Sequence, residues 1–169
     1  MQEKTLYLLR HGEANPLNDK GDLERSLTIN GEKSLSLLLN NLCNQNIIWD
    51  LAICSVALRA RQSLAILQSS CSKKEVIFSN ELYNVSTNDV LTLVKNINDK
   101  NEDVLLVGHN PSLRNLALML ALDGGEKYKS LAKDFPPGSF ISLKTQIKSW
   151  SNIQPRMAYI DEFFLPKTD

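Results

Sequence analysis

The sequence contains only two histidines, His11 and His109, and they share a setting. Each stands just beyond a short apolar run, TLYLL at 5–9 for His11 and DVLLV at 103–107 for His109. Each also has a glycine beside it, Gly12 or Gly108, and glycine lets a backbone approach a ligand closely. An imidazole gains or loses its charge near neutral pH. A lone histidine is ordinarily a satisfied core or surface residue, but two of two in matching places point to a shared site. After His109, Asn110-Pro111 opens a run with helical spacing. A helix start offers free N–H groups and the positive end of the dipole. Together these features outline an anion site. Arg10, and Arg59 a few residues beyond Ser55, are candidates for its fixed positive charge. Arg61 competes with Arg59: two residues apart on one helix, they point to different faces, and spacing does not choose between them.

The elements that must position these groups alternate in type. Strands are predicted at 5–9, 51–54, 75–78 and 103–107, and helices at 31–44, 58–70, 88–97 and 111–122. Leucines 35, 38, 39 and 42 have helical spacing, as do Leu64, Leu67 and Cys71, and Val90, Leu93, Val94 and Ile97. Residues 13–25, with Pro16 and Gly21, read as loop. Asn110 as N-cap and Pro111 at the first helical position form a helix-start signal. Beyond Gly124-Gly125, strands are expected at 140–143 and near 150–153, with Pro136-Pro137-Gly138 a loop before the first. Trp150 and Phe163-Phe164-Leu165 are expected to pack in the core or at a sheet edge. The alternation predicts an α/β fold of three layers, a mostly parallel central sheet with helices on both faces, in one domain over 1–169. Such sheets bind ligands beyond the carboxyl ends of their strands, where both histidines and Ser55 fall.

Composition narrows the function. Lys plus Arg and Asp plus Glu number 19 each, so formal net charge is zero, which argues against a broad nucleic-acid surface. No apolar run reaches membrane-spanning length, and the stretch at 6–9 is too short for a signal peptide, so no membrane partner and a cytoplasmic location are expected. Cys43, Cys54 and Cys71, an odd count without CxxC spacing, are expected to be reduced and buried. Cys54 to Arg59 is one residue too short for a cysteine-phosphatase loop, since position 60 is alanine. No P-loop pattern occurs, and two histidines without a Cys or carboxylate cluster make a poor zinc site.

Three segments carry a resemblance. Leu9-Arg10-His11-Gly12-Glu13 resembles the Arg-His-Gly signature of the histidine phosphatase superfamily, which includes the phosphoglycerate mutases. Residues 55–63, SVALRARQS, resemble its Ser-Pro-x-x-Arg-Ala-x-Gln-Thr segment, and Val107-Gly108-His109-Asn110-Pro111 resembles its second histidine motif. Three motifs in order, each at the end of a predicted strand, are a specific signal. Asp22-x-x-Arg25-x-Leu27-Thr28-x-x-Gly31, Glu81-Leu82-Tyr83 and Pro137-Gly138 are similar to segments of its short phosphohistidine phosphatase branch. Val56 and Ser26 stand where proline is common in that branch, a change that removes no reacting group.

The resemblance implies a phosphoglycerate mutase-like fold and a set of roles. His11 would attack phosphorus and become phosphohistidine. Arg10, Arg59 and His109 would hold the phosphoryl oxygens, with Gly12 and Asn110 completing the phosphate site, and Arg59 is selected over Arg61. Arginines and an imidazolium would supply the charge, so no metal or other cofactor is expected. A carboxylic acid often protonates the leaving oxygen in this superfamily, and Glu81 is the first candidate here, Glu13 the second. The implied substrate is phosphohistidine in a signalling protein, on a phosphotransfer domain or a phosphocarrier. The alternatives are a phosphomonoesterase acting on a small phosphate ester and a weakly catalytic phosphohistidine-binding module.

Overall fold

A strand buried on both faces needs apolar residues at consecutive positions, and Leu6 to Leu9 meet that need. In the computed structural model, which describes residues 3–17, 19–69, 75–122 and 124–166, this run lies in β1 (Glu3–Arg10). There follow α1 (Ile29–Asn44), β2 (Leu51–Ser55), α2 (Leu58–Gln68), β3 (Glu75–Ser79), α3 (Thr87–Lys95) and β4 (Asp103–Gly108). The chain continues through α4 (Ser112–Leu120), α5 (Gly125–Lys133), β5 (Phe140–Gln146) and β6 (Ala158–Phe164). Short 3-10 turns stand at Asp22–Glu24, Asn80–Leu82 and Trp150–Asn152.

The six strands form one sheet in the order β3-β2-β4-β1-β5-β6. The β3–β2, β2–β4 and β4–β1 pairings are parallel, and β1–β5 and β5–β6 are antiparallel. Alternate residues of the central strands enter separate cores. Tyr7, Leu9, Ala52, Cys54, Leu105 and Val107 pack with leucines of α1 and α2. Leu6, Leu8, Ile53, Val104 and Leu106 pack with α3, α4 and α5. The three layers and the mainly parallel sheet agree with the sequence pattern.

Two of the helix starts, those of α1 and α3, are built from local polar groups. The Thr28 side chain accepts from Gly31 N and caps α1, and Ser86 and Asp89 make a reciprocal capping box on α3. Gly31 is required by contact: a Cβ there would lie 2.3 Å from the Glu13 carbonyl oxygen, where the loop from β1 rests on α1.

Four expectations are corrected. The segment near Trp150–Ile153 is a 3-10 turn, not a strand, with Trp150 Nε1 donating to the Asn101 carbonyl 2.8 Å away. The last strand is instead β6, which pairs with β5 and carries Phe163 and Phe164. Helix α4 starts at Ser112, with Pro111 rather than Asn110 at the N-cap position and no side-chain cap. Cys43 is exposed, lying beside the core-facing Leu42 of α1, whereas Cys54 is buried as expected and Cys71 lies outside the described residues.

Candidate active site

Parallel pairing of β1, β4 and β2 brings their carboxyl ends to one rim. Arg10 pairs with Gly108 and Cys54 with Val107, so His11, His109 and Ser55 emerge side by side. The two imidazoles lie 4.9 Å apart between ring centroids, and both are buried. Arg59 reaches them from the first turn of α2 and is only 5% exposed, whereas Arg61 faces solvent. A cavity of about 460 Å³ opens here, lined by Arg10, His11, Arg59 and His109 with Glu13, Asp22, Arg25, Tyr83, Asn110 and Pro137 among others.

Hydrogen bonds fix which nitrogen of each ring is free. His11 Nδ1 stands 2.7 Å from the Gly12 carbonyl oxygen, an acceptor only, so Nδ1 carries the proton. Nε2 then presents its lone pair to the cavity, where Arg59 Nε donates to it over 3.3 Å. Arg59 Nη2 lies 3.4 Å from His109 Nδ1 and can only donate, so His109 holds its proton on Nε2 and gives it to Ser55 Oγ, 2.8 Å away. Burial lowers the His11 pKa to about 3, opposed by the bond to the Gly12 carbonyl and reinforced by the charges of Arg59 and Arg10. Burial, then Arg59, lowers His109 to about 4. Both rings are therefore neutral near pH 7, and the imidazolium expected at position 109 is absent from the free site.

The positive charge rests on arginines. Arg10 Nη1 donates to the Phe135 carbonyl 2.9 Å away, while its Nε is buried without a partner among the described residues. Burial lowers the Arg10 pKa, though a guanidinium stays charged in any ordinary solution. Arg59 Nη1 donates to the Asp22 carbonyl over 2.7 Å and its Nη2 to Asp22 Oδ2 over 2.9 Å. Asp22 also accepts from Tyr83 OH at 2.8 Å and from Arg25 Nη1 at 3.0 Å. The Tyr83 hydroxyl and then the two arginines hold its carboxyl well below the usual carboxylate range.

The chain after α5 supplies one wall. The Phe135 carbonyl takes both Arg10 Nη1 and Asn110 Nδ2, and Gly138 N donates to the His11 carbonyl over 2.9 Å. Gly138 has φ +86°, a conformation suited to glycine.

Several residues singled out by sequence do not meet the expectation. Glu81 lies outside the cavity; it is exposed and bonded to Ser79, because its 3-10 turn buries Leu82 and sends Tyr83 to the pocket instead. Glu13 lines the cavity but accepts from Thr28 Oγ1 at 2.7 Å. The Gly12 N–H is spent on Ser63 Oγ, and a Cβ at Gly12 would meet Leu35 at 2.7 Å, so α1 rather than a ligand demands glycine there. Asn110 lines the cavity as expected, and one of its two side-chain N–H donors is held by the Phe135 carbonyl. Asp22, Tyr83, Ser55 and Ser63 have site contacts that the sequence does not assign. All four lie in the motifs quoted above, and Ser55 at the predicted rim, but nothing in those motifs shows which side chain turns inward.

Among the described residues no three His, Cys, Asp or Glu side chains converge as metal ligands, and no helix is long and apolar enough to cross a membrane. A neutral imidazole with its lone pair facing buried guanidinium groups can attack an electrophilic centre whose oxygens those groups hold.

Comparison with known proteins agrees. A candidate phosphohistidine phosphatase SixA from Nakamurella multipartitia superposes with TM-score 0.86 at 25% identity, covering 99% of each chain. The protein histidine phosphatase SixA complexed with tungstate gives 0.75 at 22% identity over 94% of this chain and 95% of that one. Phosphoglycerate mutase from Plasmodium falciparum shares the fold with TM-score 0.66 at 16% identity, covering 100% of this chain and 98% of its own. The model of the histidine phosphatase superfamily (branch 1) matches residues 6–103, and the chain belongs to that superfamily.

Proposed function

We propose that this protein is a phosphohistidine phosphatase that acts through a phosphoenzyme on His11. The observation that carries the reading is the tautomer of His11. Its Nδ1 proton is committed to Gly12, so the Nε2 lone pair faces a cavity lined by Arg10, Arg59 and His109. That lone pair forms a bond to phosphorus as the P–N bond of the substrate breaks. The electrons of the broken bond remain on the departing imidazole, which carries a proton on its other ring nitrogen and leaves neutral. Water then attacks the phosphoenzyme, giving inorganic phosphate and restoring His11. Arg10, whose Nε has no partner among the described residues, and Arg59 hold the equatorial oxygens. A bound phosphoryl dianion opposes the burial and Arg59 charge that keep His109 neutral, so proton uptake by His109 accompanies binding.

The placement of the three candidate carboxyl groups favours phosphohistidine over phosphate esters. Asp22 is held ionised, Glu13 is turned to Thr28, and Glu81 is outside. General acid help is typically worth roughly 10²–10⁴-fold, and an alkoxide leaving group needs it far more than an imidazole does. The likeness to a candidate SixA phosphohistidine phosphatase points the same way. The pocket suits a histidine side chain presented by a partner protein, such as a phosphotransfer domain or a phosphocarrier.

The test uses a protein phosphorylated on histidine with labelled phosphate, alongside small phosphate esters. Turnover of the protein should exceed that of the esters, and rapid quenching should trap acid-labile label on His11. Label on His109, or faster ester hydrolysis, overturns the reading.

A further inference from the structure

Asp22 holds an unusual place for an acidic residue in a site built to take an anion. Its carboxylate lies in the cavity beside Arg59, and its backbone carbonyl occupies a second N–H of the same guanidinium. Arginine has five N–H donors. In Arg59, Nε serves His11, Nη1 serves the Asp22 carbonyl, and Nη2 serves both Asp22 Oδ2 and His109. A phosphoryl group bound by two parallel N–H groups must take at least one of those now engaged.

The burial of the two partners is unequal. The Arg59 side chain is 6% exposed and that of Asp22 39%, so the guanidinium is fixed inside while the carboxylate stands at the mouth. Tyr83 OH and Arg25 Nη1, also on the cavity lining, hold the carboxylate in place from outside Arg59. The backbone at Asp22 is part of a 3-10 turn entered through Gly21 at φ +89°.

We propose that Asp22 is a positioning residue that stands in for phosphoryl oxygens on Arg59. It holds the guanidinium aligned on His11 in the free enzyme, yields N–H groups when a phosphoryl group enters, and takes them back as inorganic phosphate leaves. The inference rests on reading the cavity as the phosphoryl site. It gives Asp22 a kinetic purpose: a pocket with three arginines would otherwise retain its dianionic product. The carboxylate is ionised throughout the working pH range, so this competition does not switch off near neutrality.

Inorganic phosphate binding, followed by calorimetry, tests the idea in wild type, Asp22→Asn, Asp22→Ala and Asp22→Glu, with thermal unfolding as a check on folding. Removing one negative charge at this range should tighten phosphate binding roughly tenfold in both neutral variants. Turnover and KM should fall together, since the product and ground state gain more than the transition state. Asp22→Glu should return phosphate affinity toward wild type. A purely structural role predicts the opposite sign, weaker phosphate binding through a loosened Arg59. Folded Asn and Ala variants that bind phosphate no more tightly than wild type overturn the inference alone. Wild type that binds no phosphate overturns the reading of the cavity beneath it.

Discussion

The groove beside β3 and the pocket at the ends of β1, β2 and β4 differ in size, lining and in how their polar groups are satisfied. The groove is larger, about 670 Å³ against about 460 Å³. Its walls include Ile53, Ile77, Val85, Leu93 and Ile97, with Glu75, Glu81, Asp89 and Lys100. Each acidic group there has its own partner: Glu75 faces Lys100 at 3.6 Å, Asp89 caps α3, and Glu81 bonds the nearby Ser79. The pocket joins groups distant in sequence, from Arg10 to His109, which hydrogen-bond one another and shift the pKa values of both histidines and Asp22. Volume therefore does not mark the chemistry. Convergence of charged groups from separate elements does.

The largest expected effect breaks that convergence. Arg59→Ala should lower kcat/KM by roughly 10²–10³-fold, the usual loss for one transition-state donor. Arg59→Lys should recover little of it, because one ammonium cannot serve His11, Asp22 and His109 at once. Lys100→Ala in the groove should leave kcat/KM within about twofold, as expected for an exposed ion pair. Steady-state kinetics on a phosphohistidine protein compares the three, and equal losses at positions 59 and 100 would end the distinction between the two cavities.

A smaller effect separates the pocket by pH. The folded-state values of His11 and His109, about 3 and about 4, lie below the ordinary 6.5. As pH falls below about 6.5, the unfolded chain takes up protons that the folded chain refuses, so stability is full above that pH and declines toward the folded values. At pH 5 each histidine should cost about 2 kcal/mol. Urea midpoints at pH 7, 6 and 5 measure the slope, and replacing both histidines with glutamine should flatten it. The same shift keeps His11 neutral, so the acid limb of kcat/KM set by the free enzyme should fall below pH 5.

Much of this arrangement was legible in the sequence, for identifiable reasons. Short apolar runs ending in Arg10-His11 and Gly108-His109 encode buried parallel strands and also place their last residues at one rim. The C-terminal third was less readable. The turn at Trp150 and the strand β6 both contain aromatics, and only tertiary packing separates them: Trp150 is buried over Asn101, while β6 adds to the outer side of β5. Within the site, residue type named the cations and imidazoles but could not give the direction of a side chain leaving an irregular turn. Asp22 and Tyr83 are cavity residues for that reason, and Glu81, two residues before Tyr83, is not.

The smallest effect tests that last contrast. Glu81 is the acidic residue that a superfamily pattern offers as proton donor, yet it lines the groove and bonds its own turn through Ser79. A donor must come within hydrogen-bond reach of the leaving atom, directly or through one water. Tyr83 and His109, ring centroids 5.5 Å apart, stand at the pocket where such a donor would have to act. Glu81→Gln keeps the shape of the side chain and removes only its acid function. Turnover of a phosphohistidine protein should therefore stay within about twofold of wild type, as for surface changes away from a site. A collapse of kcat with phosphate binding intact would make Glu81 the acid after all. It would also require the Asn80–Leu82 turn to reorient when substrate binds, joining the groove to the pocket.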